Sequence, residues 1–366
     1  MASIRKIAER AGVSIATVSR ALNNDLGISP KTRDRVLAVA NSAGYKAAVG
    51  RRVTNSVGFA YTGEQTLSHP FEAAVLEGAV KSLGSAGFNL VLLNLKRDKL
   101  RGETYTQFFL RTGVRGVILR IVAESRGICR AIAAEGFPHV VLSERFESSD
   151  INCIDCDSKP DSIRAVEYLI ALGHRRIAFA AHNIPDRDHT DRFEGYREAL
   201  AKHRLPFRQD LVFKHPATLA GGATVLKMVM SMPERPTAVY YADWLLAIGG
   251  IKAAHELGVR VPDDISIVGF DDTNMRQAVH PTLTAVCQNA VKLGAGAGTC
   301  LAQVLVGERK EPFQITAPSF FEINESTGPI PEHVVRIAAN GKHVTEVSEA
   351  ESDIRKPSVF RGSQAS

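Results

Sequence analysis

The stretch Ile7-Ala8-Glu9-Arg10-Ala11-Gly12-Val13-Ser14-Ile15-Ala16-Thr17-Val18-Ser19-Arg20-Ala21-Leu22-Asn23 decides how the chain begins to fold. Ile4, Ile7, Ala8 and Ala11 recur at helical spacing and make one apolar stripe. Gly12 ends that helix, because glycine accepts the positive φ of a tight turn. Ser14 caps a second helix, its hydroxyl oxygen accepting from an early backbone N–H. Val18 and Leu22 point inward, while Ile15, Ala16, Ser19, Arg20 and Asn23 share the opposite face. A third helix opens at Ser29-Pro30, a capping serine before a proline at the first helical position. It buries Val36, Val39 and Ala40 and ends at Gly44. A helix, a glycine turn and a second helix with small and polar outward residues make up helix-turn-helix grammar. Residues 1–46 are therefore expected to be an all-α, three-helix headpiece.

Charge supports a partner for that headpiece. The net charge is +6, yet residues 1–54 hold ten Lys and Arg against three acids, so the rest of the chain is close to neutral. Positive charge concentrated on one short segment is the footprint of a phosphate-backbone binder. No run of about 18 apolar residues is present, so no transmembrane helix is expected. The N-terminus alternates charged and apolar residues and lacks the core of a signal peptide, so a cytoplasmic protein is expected. Five cysteines (Cys129, Cys153, Cys156, Cys287, Cys300) are few and odd in number, as in a reducing compartment. Cys153 and Cys156 have C-x-x-C spacing, but structural zinc needs four ligands and no second pair lies nearby. They read as packing residues, and neither metal nor cofactor is expected.

From residue 57 the texture changes. Apolar runs at 57–61, 88–93, 116–121, 139–143, 176–181, 238–241 and 265–270 alternate with amphipathic helical patterns, the last at 290–306. That alternation implies parallel sheets with helices on both faces. Some 270 residues exceed one usual core, so two doubly wound α/β subdomains are expected over 57–328, with a ligand at the carboxyl ends of their strands. Residues 47–56 read as a short linker. The tail 329–366 has no leucine and many Ser, Glu, Lys and Arg residues, and is expected to be disordered.

Five motifs in order resemble the lactose-repressor (LacI/GalR) family over nearly the whole chain up to about residue 328. They are the helix-turn-helix stretch with Ser29-Pro30-Lys31-Thr32-Arg33, Leu172-Gly173-His174-Arg175-Arg176-Ile177, Arg192-Phe193-Glu194-Gly195-Tyr196, Val261-Pro262-Asp263-Asp264-Ile265-Ser266-Ile267-Val268-Gly269-Phe270-Asp271-Asp272, and Pro281-Thr282-Leu283-Thr284. The resemblance implies a homodimer whose headpieces read a roughly palindromic operator in duplex DNA. It also implies a periplasmic-binding-protein-like core that closes around a small, sugar-like effector and so alters operator affinity, a linkage between two sites. Ile15, Ala16 and Arg20 would face base edges. Arg20 can pair bidentately with guanine, and the other two offer apolar contact to thymine methyls. Ser3, Ser14, Thr17, Ser19, Asn23, Ser29, Thr32 and Tyr45 would lie toward the backbone, which sets register without reading sequence; capping is the competing role for the serines.

In the core, Arg192 resembles the arginine that holds effector hydroxyls or carboxylates, and a rigid guanidinium fork suits either. Asp271 resembles the acid that accepts from sugar hydroxyls, against the alternative that it caps the following turn. Phe71 and Trp244 offer aromatic faces to a sugar ring, or are simply core. Ser143, Arg145 and Gln288 complete the expected wall.

Two departures from the family pattern stand out. The usual hinge segment Tyr-x-Pro-Asn-x-x-Ala-Arg-x-Leu here reads Tyr45-Lys46-Ala47-Ala48-Val49-Gly50-Arg51-Arg52-Val53-Thr54. Its helix-starting proline and asparagine are alanines, its wedge leucine is a threonine, and Gly50 disfavours helix by about 1 kcal/mol relative to alanine. No leucine wedge is expected, and Arg51 and Arg52 would lie along phosphates or in the minor groove. The usual Asn-Asp pair before the tryptophan reads Ala242-Asp243, so either the effector differs from common hexoses or Asp243 reaches it directly. Without leucine heptads in the tail, a dimer is expected rather than a tetramer.

Two rival functions are weighed. A sugar-binding receptor of the same core fold would have no use for the basic front end. An enzyme would need a site: Gly294-Ala295-Gly296-Ala297-Gly298 lies in a helical pattern rather than after a strand, and lacks the G-x-G-x-x-G fingerprint.

Overall fold

A computed structural model describes residues 3–22, 27–43, 54–62, 69–121, 125–183, 186–337 and 344–346. The headpiece consists of α1 (Ile4–Ala11), α2 (Ile15–Leu22) and α3 (Pro30–Ser42). Its core is Ile7, Ala8, Ala11, Val18, Ala21, Val36 and Ala40, with Val39 and Leu22 half-buried at its margin. Gly12 takes φ +63° and its N–H closes α1 onto Ala8 and Glu9. The inward place expected for Leu22 belongs to Ala21, and Leu37 is buried beside Val36.

The remaining chain alternates as expected. It runs β1 (Ser56–Tyr61), α4 (Pro70–Ser85), β2 (Asn89–Asn94), α5 (Leu95–Asp98), α6 (Tyr105–Arg111), β3 (Val117–Arg120), α7 (Arg126–Ala134), β4 (His139–Leu142) and β5 (Cys153–Asp157). It continues with α8 (Lys159–Ala171), β6 (Ile177–His182), α9 (Arg187–Lys202), β7 (Val212–His215), α10 (Leu219–Ser231), β8 (Ala238–Tyr241), α11 (Trp244–Glu256), β9 (Ser266–Asp271) and β10 (Thr284–Cys287). Last come α12 (Ala290–Val306), β11 (Gln314–Pro318), β12 (Phe320–Glu322), β13 (Val335–Ile337) and β14 (Val344–Glu346). Strands β5, β7 and β10 lie outside the apolar runs: each is short, and β5 carries Asp155 and Asp157 within its five residues.

Two units divide this chain. The first comprises residues up to Asp155 together with Ala290–Ala317, the second Cys156–Asn289 and Pro318 onward. The first has the sheet order β2-β1-β3-β4-β5-β11 and the second β7-β6-β8-β9-β10-β12. The order is the same in both, with neighbouring parallel strands reversing direction of travel at β1/β3 and at β6/β8. Such a switch point opens a crevice beyond the carboxyl ends of the strands.

In the first unit α12 packs on α4 through small residues. A Cβ on Gly294 would stand 1.9 Å from the Val75 carbonyl oxygen, and one on Gly78 would stand 2.0 Å from that of Val291. The glycine-rich run 294–298 is thus a helix-packing surface. In the second unit Gly222 and Gly249 allow the same approach of α10 and α11, at 2.0 Å from Leu246 and 2.1 Å from Leu219.

His174, in the Leu172–Ile177 motif, is fully buried in the second unit. Its Nδ1 meets Thr237 Oγ1 at 2.8 Å, and Nε2 lies 3.1 Å from both Ser266 Oγ and the Gly328 carbonyl. Burial pushes its pKa down to about 4.

Residues 329–337 and 344–346 are ordered, against the disorder expected for 329–366, whose other residues lie outside the described ones. β13 pairs antiparallel with β14, and Val335 and Ile337 join the main apolar cluster of the second unit. Buried Arg235 donates Nε to the Val335 carbonyl at 2.5 Å and Nη2 to that of Asp264 at 2.8 Å. Composition alone could not show this, because three apolar residues in a polar stretch suffice once a buried guanidinium holds the backbone between them.

Candidate DNA-reading face and ligand site

On α2 the outward face is laid out by the burial of Val18 and Ala21 beneath it. Ile15 is 44% exposed, Ala16 and Arg20 are exposed, and Thr17 and Ser19 are half-buried. The expected phosphate-facing hydroxyls also cap helices. Ser3 Oγ accepts from the Lys6 N–H at 3.4 Å, Ser14 Oγ from Thr17 at 3.0 Å, and Ser29 Oγ from Thr32 at 3.2 Å. All three serines remain exposed, so capping leaves them accessible. Asn23, Tyr45, Arg51, Arg52 and the expected linker up to Val53 lie outside the described residues.

In the second unit the expected ligand residues cluster at the carboxyl ends of β6, β8, β9 and β10. Arg192, on α9, is 4% exposed and donates Nη1 to the Ala242 carbonyl at 2.8 Å. Its guanidinium carbon stands 3.3 Å from the ring centre of Phe270. Burial opposes the charged form, but Asp188 and Asp272 hold the guanidinium pKa above its ordinary value. Nε of Arg192 is buried without a hydrogen-bond partner. A buried donor left unmade costs free energy on the order of 1–3 kcal/mol, so this one is poised for a partner.

Gln288 donates Nε2 to Asp272 at 2.5 Å. Trp244 and Asp243 begin α11; both are buried, and Asp243 Oδ1 accepts from the Leu245 and Leu246 N–H groups. Asp243 Oδ1 thus caps α11.

Asp271 is corrected toward its capping alternative. Oδ1 accepts from the Thr273 and Met275 N–H groups, and Oδ2 from the Arg276 N–H and Nη1. Four donors occupy its two oxygens, so the carboxylate shapes the turn after β9, and Asp272 beside it is the acid that neighbours Arg192.

In the first unit, Phe71 at the start of α4 is buried with the Arg120 guanidinium 5.0 Å from its ring centre. Arg120, ending β3, donates Nε to Glu72 Oε1 at 2.9 Å, and both side chains are buried. Glu72 Oε2 has no partner. Neither residue was among those expected; a lone arginine closing an apolar strand was the available signal. Ser143, just past β4, is buried with φ +56°. The expected Arg145 is ion-paired to Asp155, which also accepts from Thr316 Oγ1 at 2.8 Å. That pairing makes it a brace between β4 and β5. The five cysteines are buried.

Residues 3–47 match the profile of bacterial regulatory proteins of the lacI family, and 166–327 that of the periplasmic binding protein-like domain. The HTH-type transcriptional regulator AscG of Escherichia coli (strain K12) is 30% identical over 294 residues, 78% of this chain and 87% of its own. The chain belongs to the lacI family of bacterial regulatory proteins. The HTH-type transcriptional regulator DegA of Bacillus subtilis (strain 168) is 28% identical over 336 residues, 90% of this chain and 98% of its own. The transcriptional regulator CelR in complex with cellobiose matches with a TM-score of 0.64 at 26% identity, over 89% of this chain and all of that one. As a lacI-family member with this exposed α2 face, the chain is a DNA-binding transcriptional regulator. No helix among the described residues is long and apolar enough to cross a membrane.

Proposed function

We propose that this protein is a cytoplasmic, homodimeric repressor whose operator affinity is set by a small sugar-like effector, and that it catalyses no reaction. Arg20 carries the DNA half of the reading. It stands exposed on the helix whose buried side is locked into the headpiece, with Ile15 and Ala16 beside it. Asn23, Tyr45, Arg51, Arg52 and the capping serines add backbone contacts. Arg192 carries the effector half, supported by Asp272, Gln288 and Trp244 in the same unit. The cellobiose complex of CelR and the ribose complex of a regulator from Enterococcus faecium are relatives whose ligands favour a sugar. The headpiece spans 1–46, a linker follows to 55, and the sensing core extends to 337.

The test is operator binding by fluorescence anisotropy, with sites selected from random duplexes. Arg20→Ala weakens the selected site by about 1–3 kcal/mol, roughly 5- to 150-fold, and relaxes preference at one base pair. Equal weakening on all sequences would demote Arg20 to a phosphate contact.

A further inference from the structure

His189 lies one helical turn before Arg192 on α9, so the two side chains are neighbours on the helix surface. Its Nδ1 meets Asp186 Oδ1 at 2.8 Å, and the same carboxylate oxygen accepts the His189 backbone N–H at 2.8 Å. A carboxylate can only accept, so Nδ1 carries the hydrogen, and in the neutral imidazole Nε2 presents a lone pair. That Nε2 is buried and has no hydrogen-bond partner. The ring is backed by His182, the last residue of β6, 5.9 Å away edge-on. Several buried polar atoms without hydrogen-bond partners lie along this stretch of α9, among them an acceptor on His189 and a donor, Nε, on nine-tenths-buried Arg192. The same position recurs in the first unit. His189 is the third residue of the helix after the first strand, and Glu72 is the third residue of α4, where Oε2 is likewise a buried acceptor without a partner.

We propose that the Asp186–His189 pair is a selectivity device of the effector site, choosing ligands that donate a hydrogen bond: neutral or amino sugars over sugar acids. This rests on the effector site proposed above. A sugar hydroxyl satisfies both orphaned atoms at once, donating to Nε2 and accepting from Arg192. A carboxylate offers nothing to Nε2 and also meets Asp186, Asp188 and Asp272 around a single guanidinium. Asp186 acts as a positioning residue, fixing which nitrogen carries the hydrogen.

Thermal shift and titration of the full-length protein with D-glucose, cellobiose, D-ribose, D-glucosamine, D-glucuronate and D-galacturonate test this. At least one neutral or amino sugar stabilises the protein and the hexuronates do not. His189→Leu then weakens that sugar at least tenfold, while His189→Gln, which keeps an acceptor, retains part of the affinity. An unchanged dissociation constant for His189→Leu, tightest binding by a hexuronate, or no binding by any of the six overturns the proposal. Operator anisotropy on the same preparations separates the two readings. Intact DNA binding with any of those outcomes leaves the regulator standing and removes only the selectivity device.

Discussion

The two α/β units share one strand order, yet their carboxyl ends handle charge differently. In the first, Arg120 is closed onto Glu72, Arg145 onto Asp155, and Arg126 approaches Glu144 at 3.7 Å. In the second, Arg192 has several acids nearby but leaves one donor unused, and His189 leaves one acceptor unused; the atoms left over in the first, Glu72 Oε2 and Arg126 Nε, belong to side chains already facing an opposite charge. A guanidinium committed to a carboxylate is scaffold; one held by a carbonyl and an aromatic face keeps capacity for a ligand. Identical topology thus supplies the crevice, and only the pairing of the side chains says where recognition concentrates.

That contrast can be broken most directly at the arginines. Arg120→Ala leaves Glu72 as an uncompensated buried charge and lowers stability by about 3–5 kcal/mol, read from urea unfolding. Arg192→Ala takes a cation from beside Asp188 and Asp272, but Asp272 keeps its Gln288 donor, so the loss is smaller, roughly 1–3 kcal/mol, while the sugar shift is abolished. Equal losses would mean that Arg192 is scaffold too.

Acid should separate the units next. His174 has a folded pKa of about 4, below the ordinary 6.5, so it binds fewer protons when folded. Its contribution is complete above about pH 6.5 and drains away as pH falls toward 4, about 3 kcal/mol in all. About 1 kcal/mol of that is lost between pH 7.5 and 5.5, before most carboxylates titrate. His174→Asn, though less stable, should show a flatter slope in that window; an unchanged slope would place the proton elsewhere. The smallest effect belongs to Ser143, which holds φ +56° where its topological counterpart Asp272 has no positive φ. Ser143→Gly relieves that backbone and raises stability by up to about 1 kcal/mol, seen as a higher midpoint. A loss would show that the buried hydroxyl matters more than the backbone.

What the chain disclosed in advance follows from the range of the interactions. The headpiece was readable because capping and stripe spacing are local, and the strand–helix alternation was readable for the same reason. The segment around Val335 misled because Arg235 reaches it across a hundred positions. For Asp271 the choice between ligand contact and turn cap stayed open, because sequence does not show which nearby N–H groups claim a carboxylate. Glu72 with Arg120, 48 residues apart, and the free nitrogen of His189 depend on geometry that no spacing announces.

The interleaving of the units has a consequence for biosynthesis. The first unit borrows α12 and most of β11 from beyond residue 289, and the second waits for Gly328 and Val335 to complete His174 and Arg235. A nascent chain halted at residue 280 would have translated the DNA-reading headpiece in full, with neither sheet finished. The headpiece, whose core among the described residues lies within 4–40, can close early on the ribosome, whereas both sensing units must mature almost together after release.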